Sequence, residues 1–133
     1  MLNGHPYNPD NQVLVLGISP GFAGSIEKSK SVQRVWRWMA ECGIDPQEFN
    51  WLNLSEEPGT NPKLSEITLK RSDVANYEKV ICLGNKPAQW CKSLHIDHVK
   101  MVPHPSGMNR IWNNPEVEPL VIEDLKTYMN YGN

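Results

Sequence analysis

Four short runs rich in apolar residues recur along the chain, and each is followed by glycine or by a turn-forming segment. The runs cover residues 13–16, 50–55, 80–83 and 99–102. Apolar runs of this length are typical of strands that are buried on both faces of a parallel sheet. The pattern therefore predicts four β-strands.

Helical spacing of apolar residues separates these runs. From residue 31 the pattern predicts a helix that ends at Gly43, with Trp36 in the core. Its predicted buried face comprises Val32, Val35, Trp36, Met39 and Ala40. The pattern also predicts a short helical turn after Asp45, a helix from Pro62 to about Tyr77, and a helix over residues 86–94. A closing helix is predicted from Val117, Leu120, Val121, Leu125 and Tyr128.

Strands that alternate with helices imply a parallel sheet with helices on both faces. The sequence thus predicts a three-layer α/β/α sandwich built on a four-stranded parallel sheet. With 133 residues, of which 39% are hydrophobic, the chain can bury one core, so we expect a single domain over residues 1–133.

Charge and hydropathy exclude some function classes. The net charge of -2 lacks the basic excess of a protein that holds DNA mainly through phosphates. No apolar run is long enough to span a bilayer, and residues 1–10 are polar without a signal-peptide core. We therefore expect a cytoplasmic protein that does not bind membranes.

The cysteines argue against a disulfide framework or a metal cluster. The chain has three cysteines and no C-x-x-C pair, so reduced core thiols are expected. Cys91, His95 and His98 are spaced so that three soft ligands can meet. No fourth ligand is evident, and a histidine pair at a helix end is usually solvated. We expect neither a metal nor another cofactor.

Polar or turn-forming residues follow three of the predicted strands. Residues 17–25 form a Gly/Pro/Ser-rich loop, Asn53 lies near the end of the second strand, and residues 102–110 follow the fourth. The carboxyl ends of parallel strands share one edge of the sheet, and ligands bind there. Ser19, Asn53 and His104 are therefore predicted to meet at one site.

Two of these features allow more than one interpretation. A buried amide at Asn53 needs hydrogen-bond partners, so it either satisfies the backbone or reads a base. As a reader it offers a donor and an acceptor, which complement the N3–H and C4=O groups of uracil or thymine. In the fourth loop, Pro103 and Pro105 restrict the backbone around His104, and Gly107 frees it before Met108. This loop either faces a ligand or is a surface turn in which Met108 folds back.

The loops resemble motifs of the uracil-DNA glycosylase superfamily. Gly17-Ile18-Ser19-Pro20-Gly21 is most similar to the G-I-N-P-G motif of the mismatch-specific uracil/thymine glycosylases. Residues 104–110, H-P-S-G-M-N-R, resemble the second motif, which reads H-P-S or N-P-S-G-L-S-R in related enzymes. Leu52-Asn53-Leu54 resembles the strand with the base-reading asparagine, and residues 80–90 resemble the segment before the second motif. The order and spacing agree over residues 12–125.

The resemblance implies a role for each motif residue. Ser19 and His104 would be catalytic, with His104 donating a hydrogen bond to the negative charge that develops on the departing base. Phe22 or a nearby aromatic residue would stack on the base, Met108 would fill the vacated stack, and Arg110 would contact phosphate or the orphaned base. The implied base-binding residues are Gly17, Ile18, Pro20, Gly21, Phe22 and Asn53. The implied nucleic-acid contacts are Pro105, Ser106, Gly107, Met108, Asn109 and Arg110.

Two positions depart from relatives in ways that matter for chemistry. Gly21 stands where some uracil-specific relatives carry a bulky tyrosine, which implies room for a 5-substituted pyrimidine. Ser19 stands where the superfamily usually has aspartate or asparagine to orient or activate water. A hydroxyl holds water but does not polarise it as a carboxylate does, so slow hydrolysis is expected unless Glu27 or another carboxylate assists. One alternative is a non-catalytic protein that binds a nucleobase, a nucleotide or a nucleic-acid end, and another is a structural or protein-partner role.

Overall fold

The computed structural model describes residues 4–21 and 28–130, which contain four strands and four helices. The strands are β1 (Val13–Gly17), β2 (Asn50–Asn53), β3 (Lys79–Leu83) and β4 (Val99–Val102). The helices are α1 (Lys30–Glu41), α2 (Arg71–Val74), α3 (Asn85–Ser93) and α4 (Val117–Asn130). Short 3-10 helices cover Pro46–Glu48, Leu64–Glu66 and Arg110–Asn113.

The strands form one parallel sheet in the order β2-β1-β3-β4. In register, Gly17 of β1 lies opposite Asn53 of β2, and Leu83 of β3 lies opposite Val102 of β4. The chain runs outward from β1 to β2 and then crosses back to β3. A reversal of this kind leaves a crevice at the carboxyl ends of the strands.

Alternation along the strands divides the interior into two layers. Val15 and Ile81 face α1 and α4, and their cluster includes Val35, Trp38 and Leu125. The intervening strand residues face the opposite side, where Leu14, Leu16, Val80 and Cys82 pack with Val74 of α2 and Trp90 of α3. The predicted three-layer α/β/α sandwich is thereby confirmed.

The predicted helix from Pro62 to Tyr77 is wrong. A 3-10 turn and the short helix α2 take its place, and an acidic side chain caps the start of each: Glu66 Oε1 accepts from the Lys63 N–H, and Asp73 Oδ2 accepts from the Lys70 N–H. Ile67 and Lys70 are extended, with ψ values of 123° and 158°. Local side-chain hydrogen bonds of this kind compete with a continuous helix.

The predicted inner face of α1 also needs correction. Trp38 is fully buried and donates its indole N–H to Glu118 Oε1 over 3.0 Å, whereas Trp36 is half-buried at the margin of the cluster. Ala40 is exposed. The helix is rotated so that Trp38 faces α4, where a partner for its indole is available. On α4, Val121 and Leu125 are buried, but Leu120 is 68% exposed.

Two of the cysteines pack in the core as predicted. Cys82 and Cys91 are buried free thiols whose Sγ atoms lie 3.9 Å apart, and Cys42 is half-buried. Over residues 4–21 and 28–130, no helix has the length and apolar character needed to cross a membrane.

Candidate functional site

A cavity of about 500 Å³ opens at the carboxyl ends of the strands. Its walls come from the carboxyl ends of β1, β2 and β3, from the segments after β1 and β2, and from the segment after β4. They include residues 17–21 after β1, Asn53 and residues 59–61 after β2, Leu83 of β3, and residues 104–106 after β4. Ser19, Asn53 and His104 therefore line one cavity, as the convergence of the strand ends predicts.

Asn53 is the most deeply buried polar group in this cavity wall. Its side chain is 4% exposed, and its Oδ1 accepts a hydrogen bond of 3.2 Å from the indole Nε1 of Trp51. Its Nδ2 is buried and has no hydrogen-bond partner among the described residues. A buried amide donor without a partner costs about 1–3 kcal/mol, which a ligand with a carbonyl acceptor would recover.

Gly17 leaves the space that Asn53 occupies. A Cβ at position 17 would lie 2.4 Å from Asn53 Oδ1 and 3.1 Å from Trp51 Nε1. Real Cβ atoms essentially never come as close as 2.4 Å to another atom, so any other residue would force the amide or the backbone to move. Gly17 is thus required by close packing against the neighbouring strand.

His104 presents a neutral imidazole with a defined proton. Burial lowers its pKa below the ordinary value of 6.5. Its Nδ1 lies 3.1 Å from the Ser106 backbone nitrogen, whose N–H it accepts. Because Nδ1 is the acceptor, the neutral ring carries its proton on Nε2. His104 is therefore able to donate a hydrogen bond without carrying a charge.

A clamp outside the cavity fixes the backbone carbonyls of His104 and of the residue that follows it. The His104 carbonyl accepts from Trp112 Nε1 over 3.0 Å and from Asn109 Nδ2 over 3.1 Å. Arg34 Nη1 donates to the Pro105 carbonyl over 2.9 Å, and the Arg34 guanidinium lies 4.8 Å from the centre of the Trp112 ring. Side chains outside the cavity therefore hold the consecutive backbone carbonyls of His104 and Pro105.

Glu118 of α4 anchors this clamp. Burial raises its pKa, but the hydrogen bonds from Arg37 and Trp38 and the nearby charge of Arg34 outweigh burial and lower the pKa overall. Glu118 therefore stays ionised at neutral pH. Its Oε2 lies 3.7 Å from Arg34 Nε, and this ion pair links α4 to the helix that supports the His104 loop.

The loop with Ser19 is held by its backbone. The Ile18 carbonyl accepts from the Ser55 N–H over 2.9 Å, and the Pro20 carbonyl accepts from the Gly59 N–H over 2.8 Å. Gly21 has open space beside it as far as the described residues go, since a Cβ there would meet none of their atoms within 4 Å. Among the described residues that line the cavity there is no aspartate or glutamate. Phe22 and Glu27, which carry sequence-based predictions, lie outside the described residues.

The remainder of the fourth loop faces outward. Met108 is 90% exposed and does not fold back, while Gly107 and Arg110 are also exposed. Ser106 Oγ accepts from the Met108 N–H, and Asn109 Oδ1 accepts from the Ile111 N–H, so these two side chains shape the turn. The bonded turn of the second interpretation is therefore present, but Met108 projects from it instead of folding back.

The grouping of Cys91, His95 and His98 does not appear in the structure as a metal site. No group of three possible metal ligands occurs within residues 4–21 and 28–130. Cys91 packs against Cys82 in the core, and His98 Nε2 instead contacts the Tyr77 carbonyl at 2.9 Å.

Sequence reasoning missed Trp51, Arg34 and Trp112. For Trp51 a signal was present, because residues two apart on a strand share a face, which places its indole beside Asn53. The roles of Arg34 and Trp112 depend on contacts with the loop that contains residues 104 and 105. Arg34 is 71 residues from its partner in the sequence, and Trp112 is 8 residues from its partner. No local pattern reports such contacts.

The fold and the cavity define a parallel α/β/α protein with an amide and an imidazole at the strand ends, an arrangement suited to a small polar ligand. The sequence profile of the uracil DNA glycosylase superfamily matches residues 5–126. The chain belongs to this superfamily. A search of curated proteins finds no match to the chain.

Proposed function

We propose that this protein binds an extruded uracil or 5-substituted uracil and slowly hydrolyses its N-glycosidic bond. Membership of the uracil DNA glycosylase superfamily supports a glycosylase-like function in general. The observation that carries the specific proposal is that Asn53 and His104 line one cavity, with Asn53 Nδ2 buried and without a partner among the described residues. We further propose that the protein is a single domain of the mismatch-specific uracil/thymine type.

In the proposed reaction, the bond between the base nitrogen N1 and the sugar carbon C1′ breaks and N1 keeps the electron pair. The resulting negative charge spreads onto the carbonyl oxygens of the base. His104 Nε2–H donates to one of these oxygens and stabilises the anion as it forms. Water adds to C1′ and loses a proton to solvent, and the base anion gains one.

The slow rate follows from the residue that faces the water. Ser19 offers a hydroxyl, and no described carboxylate lines the cavity. General-base assistance is typically worth 10²–10⁴-fold, so its absence leaves stabilisation of the departing base as the main contribution. The open space beside Gly21 supports acceptance of a substituent at C5 of the base.

The outer loop supplies the proposed DNA contacts. Extrusion of a nucleotide leaves a gap in the base stack, which an apolar side chain can fill. Met108 projects at the tip of the loop and fits this role, and the exposed Arg110 is available for a phosphate. Phe22 is proposed to stack on the base. Pro105, Ser106, Gly107 and Asn109 shape the surface that meets the nucleic acid.

A second candidate function is base or nucleotide binding without catalysis. The observation that favours it is the serine at position 19 together with the lack of a described carboxylate in the cavity wall. A protein of this kind would retain recognition through Asn53 and sequester a nucleobase, a nucleotide or a DNA end.

The test uses the full chain with single- and double-stranded oligonucleotides that contain one uracil or one thymine mismatch. Alkali-labile sites in uracil-containing strands support hydrolysis, and His104→Gln should reduce their number. No cleavage at high protein concentration, with deoxyuridine binding retained, favours the second function. If Asn53→Asp cleaves and binds as well as the wild type, Asn53 does not have the role proposed for it.

A further inference from the structure

We propose that Trp51 is a specificity-determining residue that makes the site select a pyrimidine with a C4 carbonyl over one with a C4 amino group. It does so by fixing the orientation of the Asn53 amide. This inference rests on the proposed function, because it assumes that Asn53 faces the base.

The first step is the geometry of the two side chains. Trp51 and Asn53 lie two residues apart on β2, so they project from the same face of the strand. Both are 4% exposed, and Trp51 Nε1 lies 3.2 Å from Asn53 Oδ1. Both residues also line the cavity.

The second step is the chemistry of the indole. A side-chain amide has a donor end and an acceptor end of nearly equal shape, and only its hydrogen-bond partners decide which way it points. An indole N–H donates and never accepts. Trp51 therefore pairs with the carbonyl oxygen of Asn53, and a flipped amide would place two donors against each other.

The third step is the confinement of the amide. The backbone of Gly17 lies against both partners, with its missing Cβ position 2.4 Å from Asn53 Oδ1 and 3.1 Å from Trp51 Nε1. On the other side, Nδ2 keeps its hydrogens for a ligand, because no described residue pairs with it. The site thus offers an oriented donor.

The fourth step is the match to the base. Uracil presents an acceptor at C4 and a donor at N3, whereas cytosine presents a donor at C4 and an acceptor at N3. We infer that Nδ2 meets the C4 carbonyl while the remaining lone pair of Oδ1 accepts from N3–H. Cytosine would leave two donors facing each other in a buried site, and sites of this kind discriminate strongly.

The experiment measures dissociation constants for deoxyuridine and deoxycytidine by calorimetry. Trp51→Phe removes the indole N–H and keeps an aromatic ring, and we expect the preference for deoxyuridine to fall at least about tenfold. Trp90→Phe is the matched control, since Trp90 is also 4% exposed but packs on the opposite face of the sheet. This control should keep the wild-type ratio.

A folded Trp51→Phe protein with an unchanged ratio would overturn the inference. If the wild type binds both nucleosides equally, base binding stands and the inference fails. If it binds neither, the proposed function fails as well.

A measurement on the wild type covers the case in which Trp51→Phe does not fold. The side-chain amide protons of Asn53 should shift in nuclear magnetic resonance spectra with deoxyuridine and not with deoxycytidine. Equal shifts with both nucleosides would overturn the inference.

Discussion

Gly17 and Asn53 face each other across neighbouring strands so closely that a Cβ on Gly17 would lie 2.4 Å from Asn53 Oδ1. We therefore expect Gly17→Ala to lower the free energy of unfolding by about 1–3 kcal/mol, because overpacking forces the amide or the backbone to move. Binding of deoxyuridine should weaken at least about tenfold, because Asn53 loses its position.

Gly107→Ala is the control for this change, since a Cβ there meets no atom of residues 4–21 and 28–130 within 4 Å. Urea denaturation and calorimetry measure the two effects. Full stability and full affinity in Gly17→Ala would show that the Asn53 amide has room to adjust.

Ser19→Asp should accelerate hydrolysis. A carboxylate at this position can polarise the attacking water, so we expect a rise of about 10²–10⁴-fold in the single-turnover rate on uracil-containing oligonucleotides. Ser19→Ala should show no such acceleration, because it introduces no base. An unchanged rate in Ser19→Asp, with deoxyuridine binding intact, would mean that water does not attack from this loop.

Trp112→Phe should slow the reaction through the position of His104. The change removes the 3.0 Å hydrogen bond to the His104 carbonyl and keeps an aromatic face for Arg34. We expect a rate loss of about tenfold and a stability loss near 1 kcal/mol, with little change in KM. Trp36→Phe is the control, because its indole N–H has no partner among the described residues. A change in KM alone would place Trp112 in binding instead.

The stability of the protein should decline in mild acid. Burial lowers the pKa of His5, and this effect is larger than the rise caused by the hydrogen bond to the Phe49 carbonyl. Burial also lowers the pKa of His104. Below the ordinary value of 6.5 the unfolded chain therefore binds protons that the folded chain does not. The free energy of unfolding should be highest above this pH and fall until each folded pKa is passed.

Denaturation at pH values from 8 to 5, in steps of about 0.5, measures this decline in the free energy of unfolding. His5→Phe removes one titrating group while keeping an aromatic ring beside Phe49 and Trp51. Its stability should fall less steeply with acid. A curve parallel to the wild type would exclude His5 as a source of the dependence.

Met108→Ala should separate DNA binding from base binding. Met108 is 90% exposed, so its truncation should change the free energy of unfolding by no more than about 0.5 kcal/mol. Affinity for uracil-containing duplexes should fall, and affinity for deoxyuridine should not. Leu120→Ala, an exposed apolar change on α4, should alter neither. Equal duplex affinity in wild type and Met108→Ala would remove Met108 from the nucleic-acid surface.

The four strands and their positions along the sequence were predictable, because each strand is a dense run of apolar residues that is followed by a turn. Residues 80–83, for example, contribute to both buried layers, and such burial leaves a continuous apolar pattern. The segment from Pro62 to Tyr77 was not predictable in the same way. Its apolar residues suggested a helix, but the hydrogen bonds of Glu66 and Asp73 cap a 3-10 turn and a short helix instead.

The convergence of Ser19, Asn53 and His104 followed from the parallel sheet, because strand ends on one edge must meet. The orientation of each group did not follow. The Asn53 amide points as it does because of Trp51 and Gly17, and the His104 ring carries its proton on Nε2 because of the Ser106 N–H. These are contacts of side chains in three dimensions, and apolar periodicity carries no information about them.

The two groups proposed to contact the base enter from opposite edges of the sheet, Asn53 from β2 and His104 from the segment after β4. Edge strands are the elements that open most readily, since each has a neighbour on one side only. A base bound between these groups would connect the two edges of the sheet and oppose the local opening of both β2 and β4. Amide hydrogen exchange should therefore slow together in β2 and β4 when ligand binds, although the two strands never touch.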